Sequence, residues 1–299
     1  MTRRSAEVAL VGVDAGATKT EALAVRPDGT VIGRVAGDGA NPKRQGLATA
    51  AERIGGLAVA AAGRPDPSLV YVAGAGLDRP AQARALERVL GARLPGTRVL
   101  AANDSVAVLR CGTPDGVGLA VPVSTGGNVI GRGPDGRLTD RGHGIFGGGY
   151  VMGALVVRAA RRGGVSAELA AEIAAAHVAW TGRRPAPEVS ALAEAVARAA
   201  EAGDPYPARI VERWCRRVAD AVREEVERLE LGAAPVVVVY GGLADHAPWL
   251  AARIRAAVLA GAPGARVAGL REAPVTGAAG LAQDAWAGRL APWDFEPRR

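Results

Sequence analysis

The sequence predicts an α/β protein of two lobes, each a mixed sheet covered by helices. Three observations carry this. Residues 8–36 hold three short apolar runs in succession, and residues 46–111 then alternate between helical and strand patterns. The order strand, Gly/Thr turn, strand, Pro-Asp-Gly turn occurs twice, as VGVDAGATKTEALAVRPDG from Val11 and as VPVSTGGNVIGRGPDG from Val121. Beyond Gly147 the chain is mostly helical in pattern, with one buried strand, Pro235 to Tyr240. The repeat reads as duplication of one supersecondary unit.

In order, strands are expected at about 7–14, 20–26 and 30–36, with Pro27-Asp28-Gly29 turning the last pair. A helix over about 46–62, a strand at 69–74, a helix over 79–91 and a strand at 97–102 follow. Asn103-Asp104 then opens a short helix to about 111. In the second copy, Val117–Val123 and Asn128–Arg132 are the strands and Ser124–Gly127 is the turn between them. Helices are expected over about 151–162, 166–180, 188–202, 206–231, 247–260 and 276–288, with a short strand near 265–270. The helix over 206–231 places Ile210, Trp214, Val218, Val222, Val226 and Leu229 at spacings of three and four, the stripe of a core-facing helix. The expected boundaries are 1–114 for the N-terminal lobe and 115–283 for the C-terminal lobe, with a closing segment at about 284–299 packing back on the first.

Composition narrows the function. An apolar content of 49% with 22% charged residues is that of a globular protein with proper cores. The longest apolar runs fall far short of a membrane span, and no apolar leader stretch follows Arg3-Arg4, so a cytoplasmic protein without membrane contact is expected. The net charge of +7 is arginine scattered among acids and alanines, and with only two Phe and four Tyr there is no base-stacking surface, so nucleic acid is not an expected partner. Cys111 and Cys215 stand 104 residues apart without metal-ligand spacing and read as two reduced, partly buried thiols.

The chemistry concentrates in the first Gly/Thr turn. A tight turn between strands can aim backbone N–H groups at one point, which is how a chain cradles phosphate. Thr18 and Thr20 add hydroxyls there, Lys19 adds charge, and Asp14 at the strand end can hold a metal through water. Lys19 and Lys43 are the only lysines among 37 basic residues, which sets Lys19 apart from incidental surface charge. An ordinary hairpin turn with exposed charges is the alternative.

The ordered set DAGATKT, NDS, STGGN and YGG resembles the N-acetylglucosamine kinase and BadF/BadG/BcrA/BcrD ATPase family, of the actin, sugar kinase and Hsp70 superfamily. The resemblance runs from about residue 8 to 285. It implies a two-lobed actin-like (ribonuclease H-like) fold with a cleft between the lobes, ATP and Mg²⁺ as cofactors, and a homodimer. Residue by residue it implies that Gly16, Ala17, Thr18, Lys19 and Thr20 form the first phosphate loop beside Asp14 near the metal. It makes Asp104 the general base that takes a proton from the sugar hydroxyl; the alternative for Asp104 is a plain helix N-cap. Thr125, Gly126 and Gly127 match the second phosphate loop, and Gly241, Gly242 and Leu243 the adenosine motif. Asn41 and Asn128 match sugar-contacting positions, since asparagine both donates to and accepts from hydroxyls, although each could equally be a turn residue.

One segment departs from the family pattern. Where its sugar kinases carry Trp-Gly followed by an acidic pair, this chain has His143-Gly144-Ile145-Phe146-Gly147-Gly148-Gly149-Tyr150, shorter and free of acids. His143 and Gly144 are the candidate acceptor contacts there. The implied activity is transfer of the ATP γ-phosphate to an amino sugar or related polyol. The alternatives are a catalytically altered nucleotide or sugar sensor, or an activator-type ATPase of the same family.

Overall fold

The computed structural model describes residues 8–113, 115–124, 127–141, 148–176, 187–270, 272–289 and 294–295. Contacts divide the chain into two compact units: residues 1–117 with 135–138 and 270–299, and residues 118–134 with 139–269.

The first unit is built on β1 (Leu10–Ala15), β2 (Lys19–Val25), β3 (Val31–Asp38), β4 (Leu69–Gly74) and β5 (Arg98–Asn103), in the order β3-β2-β1-β4-β5. β1, β2 and β3 form an antiparallel meander, and β4 and β5 run parallel to β1. Both faces of the sheet are covered, so its strands read as nearly continuous apolar runs. Val11, Val13, Ala22 and Ala24 face the helices Leu47–Ala62 and Pro80–Arg93, with Ile54 and Leu86 fully buried between. Leu10, Leu23, Leu69 and Tyr71 face the helices Asp104–Gly112 and Pro274–Trp286.

The helix Pro274–Trp286 lies close on its sheet because Gly12 has no side chain. A Cβ on Gly12 would stand 2.0 Å from the Ala279 nitrogen. Gly277 does the same for the neighbouring helix, where a Cβ would stand 2.0 Å from the Ala107 carbonyl oxygen. These approaches put the chain from 270 onward in the first unit, whereas the sequence suggested a return at about 284.

The second unit contains β6 (Gly118–Pro122) and β7 (Val129–Arg132), then, beyond β8 (Arg137–Arg141), β9 (Val236–Tyr240) and β10 (Arg266–Ala268). With β11 (Asp294–Phe295), the second sheet runs β10-β9-β6-β7-β8-β11. β6 pairs antiparallel with β7 and parallel with β9. The order β8-β7-β6-β9-β10 thus repeats β3-β2-β1-β4-β5, the duplication expected from the two Pro-Asp-Gly turns.

The helix Pro205–Arg228 buries Ile210, Val211, Trp214, Val218 and Val222 as its stripe requires. It starts behind Asp204, whose carboxylate accepts from Tyr206 N at 3.1 Å and caps the first turn. The helix expected over 188–202 is two, Pro187–Ala191 and Ala193–Glu201. Its first piece is held against the helix Gly148–Ala160, where the Val189 carbonyl would sit 1.8 Å from a Cβ on Gly153.

Candidate functional site

In the first unit the C-terminal ends of β1, β4 and β5 lie side by side, since Asp14 pairs with Ala73 and Gly74 with Asn103. This edge of a parallel sheet is where α/β folds gather their chemistry, because the strands stop there and the loops begin. Asp14 shares its face with Leu10 and Gly12, and Asp104 starts the helix packed on that same face.

Asp104 does not cap its helix. That role belongs to Asn103, whose Oδ1 accepts from Ser105 N at 3.0 Å. Asp104 therefore sits at the first helical position. Burial raises its pKa to about 6, the Asp78 carboxylate adds to the rise, and the backbone N–H groups of Ser105 and Asp104 oppose it. The helix is tied at its far end by Arg110, which donates to Asp284 at 2.7 Å on the helix Pro274–Trp286.

Asp14 is raised further, to about 7, by burial first and then by the charges of Asp104 and Glu21, with Lys19 pulling it down. A partly buried carboxylate whose pKa is held up by burial and by the charge of Asp104 suits a divalent cation, which would return it to the charged form. Among the described residues no three acidic, histidine or cysteine side chains converge on one point. Mg²⁺ needs no such cage, since it takes one or two carboxylates and completes its shell with water and phosphate oxygens. The donor set fits Mg²⁺, which Asp14 would hold.

The same shift sets a pH dependence of stability. Between the ordinary carboxylate pKa and about 7, folded Asp14 keeps a proton that the unfolded chain has released, so stability falls as pH rises through that window. Asp14→Asn is expected to raise the melting temperature of the metal-free protein above pH 7, with the gain vanishing below about pH 3, where the carboxyl is protonated in both states. Thermal melts of the two proteins across that range check it.

The loop between β1 and β2 is tightly turned. Gly16 N donates to the Lys19 carbonyl at 3.0 Å, and a Cβ on Gly16 would stand 2.6 Å from that oxygen. Gly39 and Ala40 brace it from beyond β3, donating to Thr18 O and Gly16 O at 3.1 Å each. Ala17 is half-buried, and Thr18 and Lys19 are exposed. The Lys19 ammonium lies 3.1 Å from Glu21, a carboxylate that also pairs with Arg34 at 3.2 Å. Thr20 lies elsewhere: it alternates with Lys19 onto the opposite face of β2, the face of Ala22 and Ala24, and is fully buried. The structure thus gathers Gly16 to Lys19 and Asp14, and leaves the Thr20 hydroxyl out of that group.

Asn41 is buried, and its Oδ1 accepts from Lys43 N at 2.9 Å, capping the short helix Pro42–Gln45. Lys43, Asp78 and Asn103 join the edge without having been picked out by the motifs. The Lys43 ammonium pairs with Asp78, and Asn103 Nδ2 donates to Asp78 at 3.4 Å. Asp78 carries no local sequence signal beyond preceding Arg79-Pro80 at a helix start.

In the second unit, Gly241 at the end of β9 meets the end of β6. Its φ of 118° lies in the region that favours glycine, and a Cβ there would stand 2.7 Å from the Val123 carbonyl. Leu243 N donates to that same carbonyl at 3.1 Å and the Leu243 side chain is buried, while Gly242 starts the helix Gly242–His246. The Gly241–Leu243 segment is therefore joined to the start of the Ser124–Gly127 turn, where Gly149 N donates to Ser124 O at 2.7 Å. Gly127 is buried and Asn128 half-buried ahead of β7. Thr125, Gly126, His143 and Gly144 lie outside the described residues.

Both cysteines are half-buried, and burial raises both thiols; Cys111 Sγ donates to the Ala273 carbonyl at 3.5 Å. Among the described residues no helix is long and apolar enough to cross a membrane.

A family model for the BadF/BadG/BcrA/BcrD ATPases matches residues 11–283. The chain belongs to this family. Comparison with curated proteins gives no match. Among solved structures, this ATPase family member is similar to a proposed N-acetylglucosamine kinase from Chromobacterium violaceum, at TM-score 0.66 and 21% identity over 93% of this chain and 99% of that one. A proposed N-acetylglucosamine kinase from Porphyromonas gingivalis gives 0.63 and 20% over 94% and 100%. A ROK family glucokinase from Streptomyces griseus, in complex with glucose and AMPPNP, gives 0.57 and 19% over 93% and 98%. The fold of this chain is thus the two-lobed actin-like fold of sugar kinases.

Proposed function

We propose that the protein is an ATP-dependent carbohydrate kinase that transfers the γ-phosphate to a hydroxyl of an amino sugar or related polyol. The observation that carries this reading is Asp104, a carboxylate at the end of β5 whose capping role has been taken by Asn103. With Asn103 as the cap, the Asp104 side chain is not needed to start the helix. Here it is left to accept a proton, with a pKa of about 6 that suits a base working at neutral pH.

Asn41, buried beside this edge, would hold an acceptor hydroxyl, with Asn128 of the second unit as a further sugar contact. The backbone of Gly16 to Thr18 and the Lys19 ammonium would hold phosphate oxygens. Lys19 can leave Glu21 for phosphate because its own side chain is exposed and Glu21 keeps its pair with Arg34. Asp14 would anchor Mg²⁺, which supplies charge neutralisation on the phosphates when bound. Gly127 and the Gly241–Leu243 turn would take the rest of the nucleotide, where bare backbone permits close approach. The amino-sugar preference is supported by the fold shared with the proteins from C. violaceum and P. gingivalis.

The activator-type ATPase reading finds less support: Cys111 donates to the Ala273 carbonyl, and Cys215 packs against the core of the second unit from the helix Pro205–Arg228. ADP release from Mg-ATP, measured with glucosamine, N-acetylglucosamine, glucose and several aminocyclitols, tests the proposal. Release that depends on one of these acceptors is the expected result. Release indifferent to all of them, or none despite bound ATP, would contradict it.

A further inference from the structure

Lys43 is the second of only two lysines in the chain, and the reading above gives it no task. Its backbone N–H donates to Asn41 Oδ1 at 2.9 Å, while its ammonium reaches across to the Asp78 carboxylate. The other Asp78 oxygen accepts from Asn103 Nδ2 at 3.4 Å, and Asn103 Oδ1 caps the helix that begins with Asp104. An unbroken chain of contacts therefore runs from Asn41 through Lys43, Asp78 and Asn103 to the start of the Asp104 helix.

We propose that the Lys43–Asp78 pair is a clasp that fixes the spacing between Asn41, which would hold the acceptor, and Asp104, which would take its proton. Lys43 and Asp78 are positioning residues for the acceptor. The inference rests on the kinase reading given above.

The two joined segments, 39–46 after β3 with the short helix Pro42–Gln45 inside it and 75–79 after β4, both lie beyond the strands of the sheet. They touch at a second point: Gly76 has φ 89°, and a Cβ there would stand 2.7 Å from Asn41 Oδ1. The loops are thus pressed together at Asn41 itself, with the ion pair alongside. The Lys43 side chain is 46% exposed and that of Asp78 18%, so the pair adds little to folding stability. Its value lies in orientation, because a displacement of ~1 Å between acceptor and base costs on the order of 100-fold in rate.

The two-lysine composition makes the clasp directly observable. In protein labelled with ¹⁵N-lysine the side-chain ammonium spectrum should hold two signals, the one missing from Lys43→Met being that of Lys43. Asp78→Asn is expected to shift that signal and leave the Lys19 signal in place. With N-acetylglucosamine and glucosamine as acceptor probes, each single variant should raise the acceptor KM on the order of tenfold. The KM for ATP and the melting temperature should stay at the wild-type values. The double variant should be no worse than the weaker single, as for two residues acting through one contact.

A Lys43 signal indifferent to Asp78→Asn would overturn the clasp. So would a shifted signal with unchanged acceptor KM, or equal losses toward ATP and acceptor. Wild type that phosphorylates neither probe would contradict the kinase reading instead, and the lysine spectrum would still decide whether the clasp exists.

Discussion

Replacing Asp104 by Asn is expected to lower acceptor-dependent ADP release by on the order of 10²–10⁴-fold while ATP binds as before. The substitution keeps the shape of the side chain, and the Asn103 cap that starts the helix is untouched, so folding should hold. What is lost is the group that accepts the hydroxyl proton. The same assignment fixes the sign of the pH profile. A base must be unprotonated to act, so activity should fall as pH drops through about 6, the value to which burial and Asp78 raise Asp104. Steady-state rates with and without acceptor, with nucleotide affinity measured separately, check both. Turnover unchanged in the variant would remove Asp104 from the chemistry.

The second large effect is structural. Gly12→Ala would place a Cβ 2.0 Å from the Ala279 nitrogen and 2.3 Å from the Ala278 carbonyl carbon. Both are backbone atoms of a helix packed along its length on β1, so no side chain can swing away to make room. The cost is expected at about 3 kcal/mol or more. Gly56, in the helix Leu47–Ala62, is the contrast: nothing lies within 4 Å of its Cβ position. Gly56→Ala should therefore stabilise, by about 0.5–1 kcal/mol, through helix propensity alone. Denaturant unfolding of the two variants separates them. Equal behaviour would mean that the helix Pro274–Trp286 does not lie on β1 as described.

The strands and most helices could be read from the sequence because their signals are local. The repeated Gly/Thr and Pro-Asp-Gly turns fixed both hairpins, and spacing fixed the stripe of the helix Pro205–Arg228. The burial of Thr20 was hidden from the sequence for a physical reason. Both faces of β2 are buried beyond Glu21, so apolar alternation could not show which face Thr20 shares. Asn103 and Asp104 are adjacent residues that both cap well, and sequence could not tell which one does. Lys43 and Asp78 were beyond reach because loop-to-loop contacts between distant segments follow no period. Gly12 was legible only as a strand residue, since the helix it admits lies more than 260 positions away in sequence.

The central claim is that Asp104 serves phosphoryl transfer to a hydroxyl rather than to water. Phosphorus NMR of a reaction with Mg-ATP and the responsive acceptor distinguishes these in one spectrum. A phosphomonoester signal growing with ADP in wild type, and absent in Asp104→Asn with ATP still bound, is the predicted result. Inorganic phosphate growing alone, or the ester growing equally in both proteins, would contradict it.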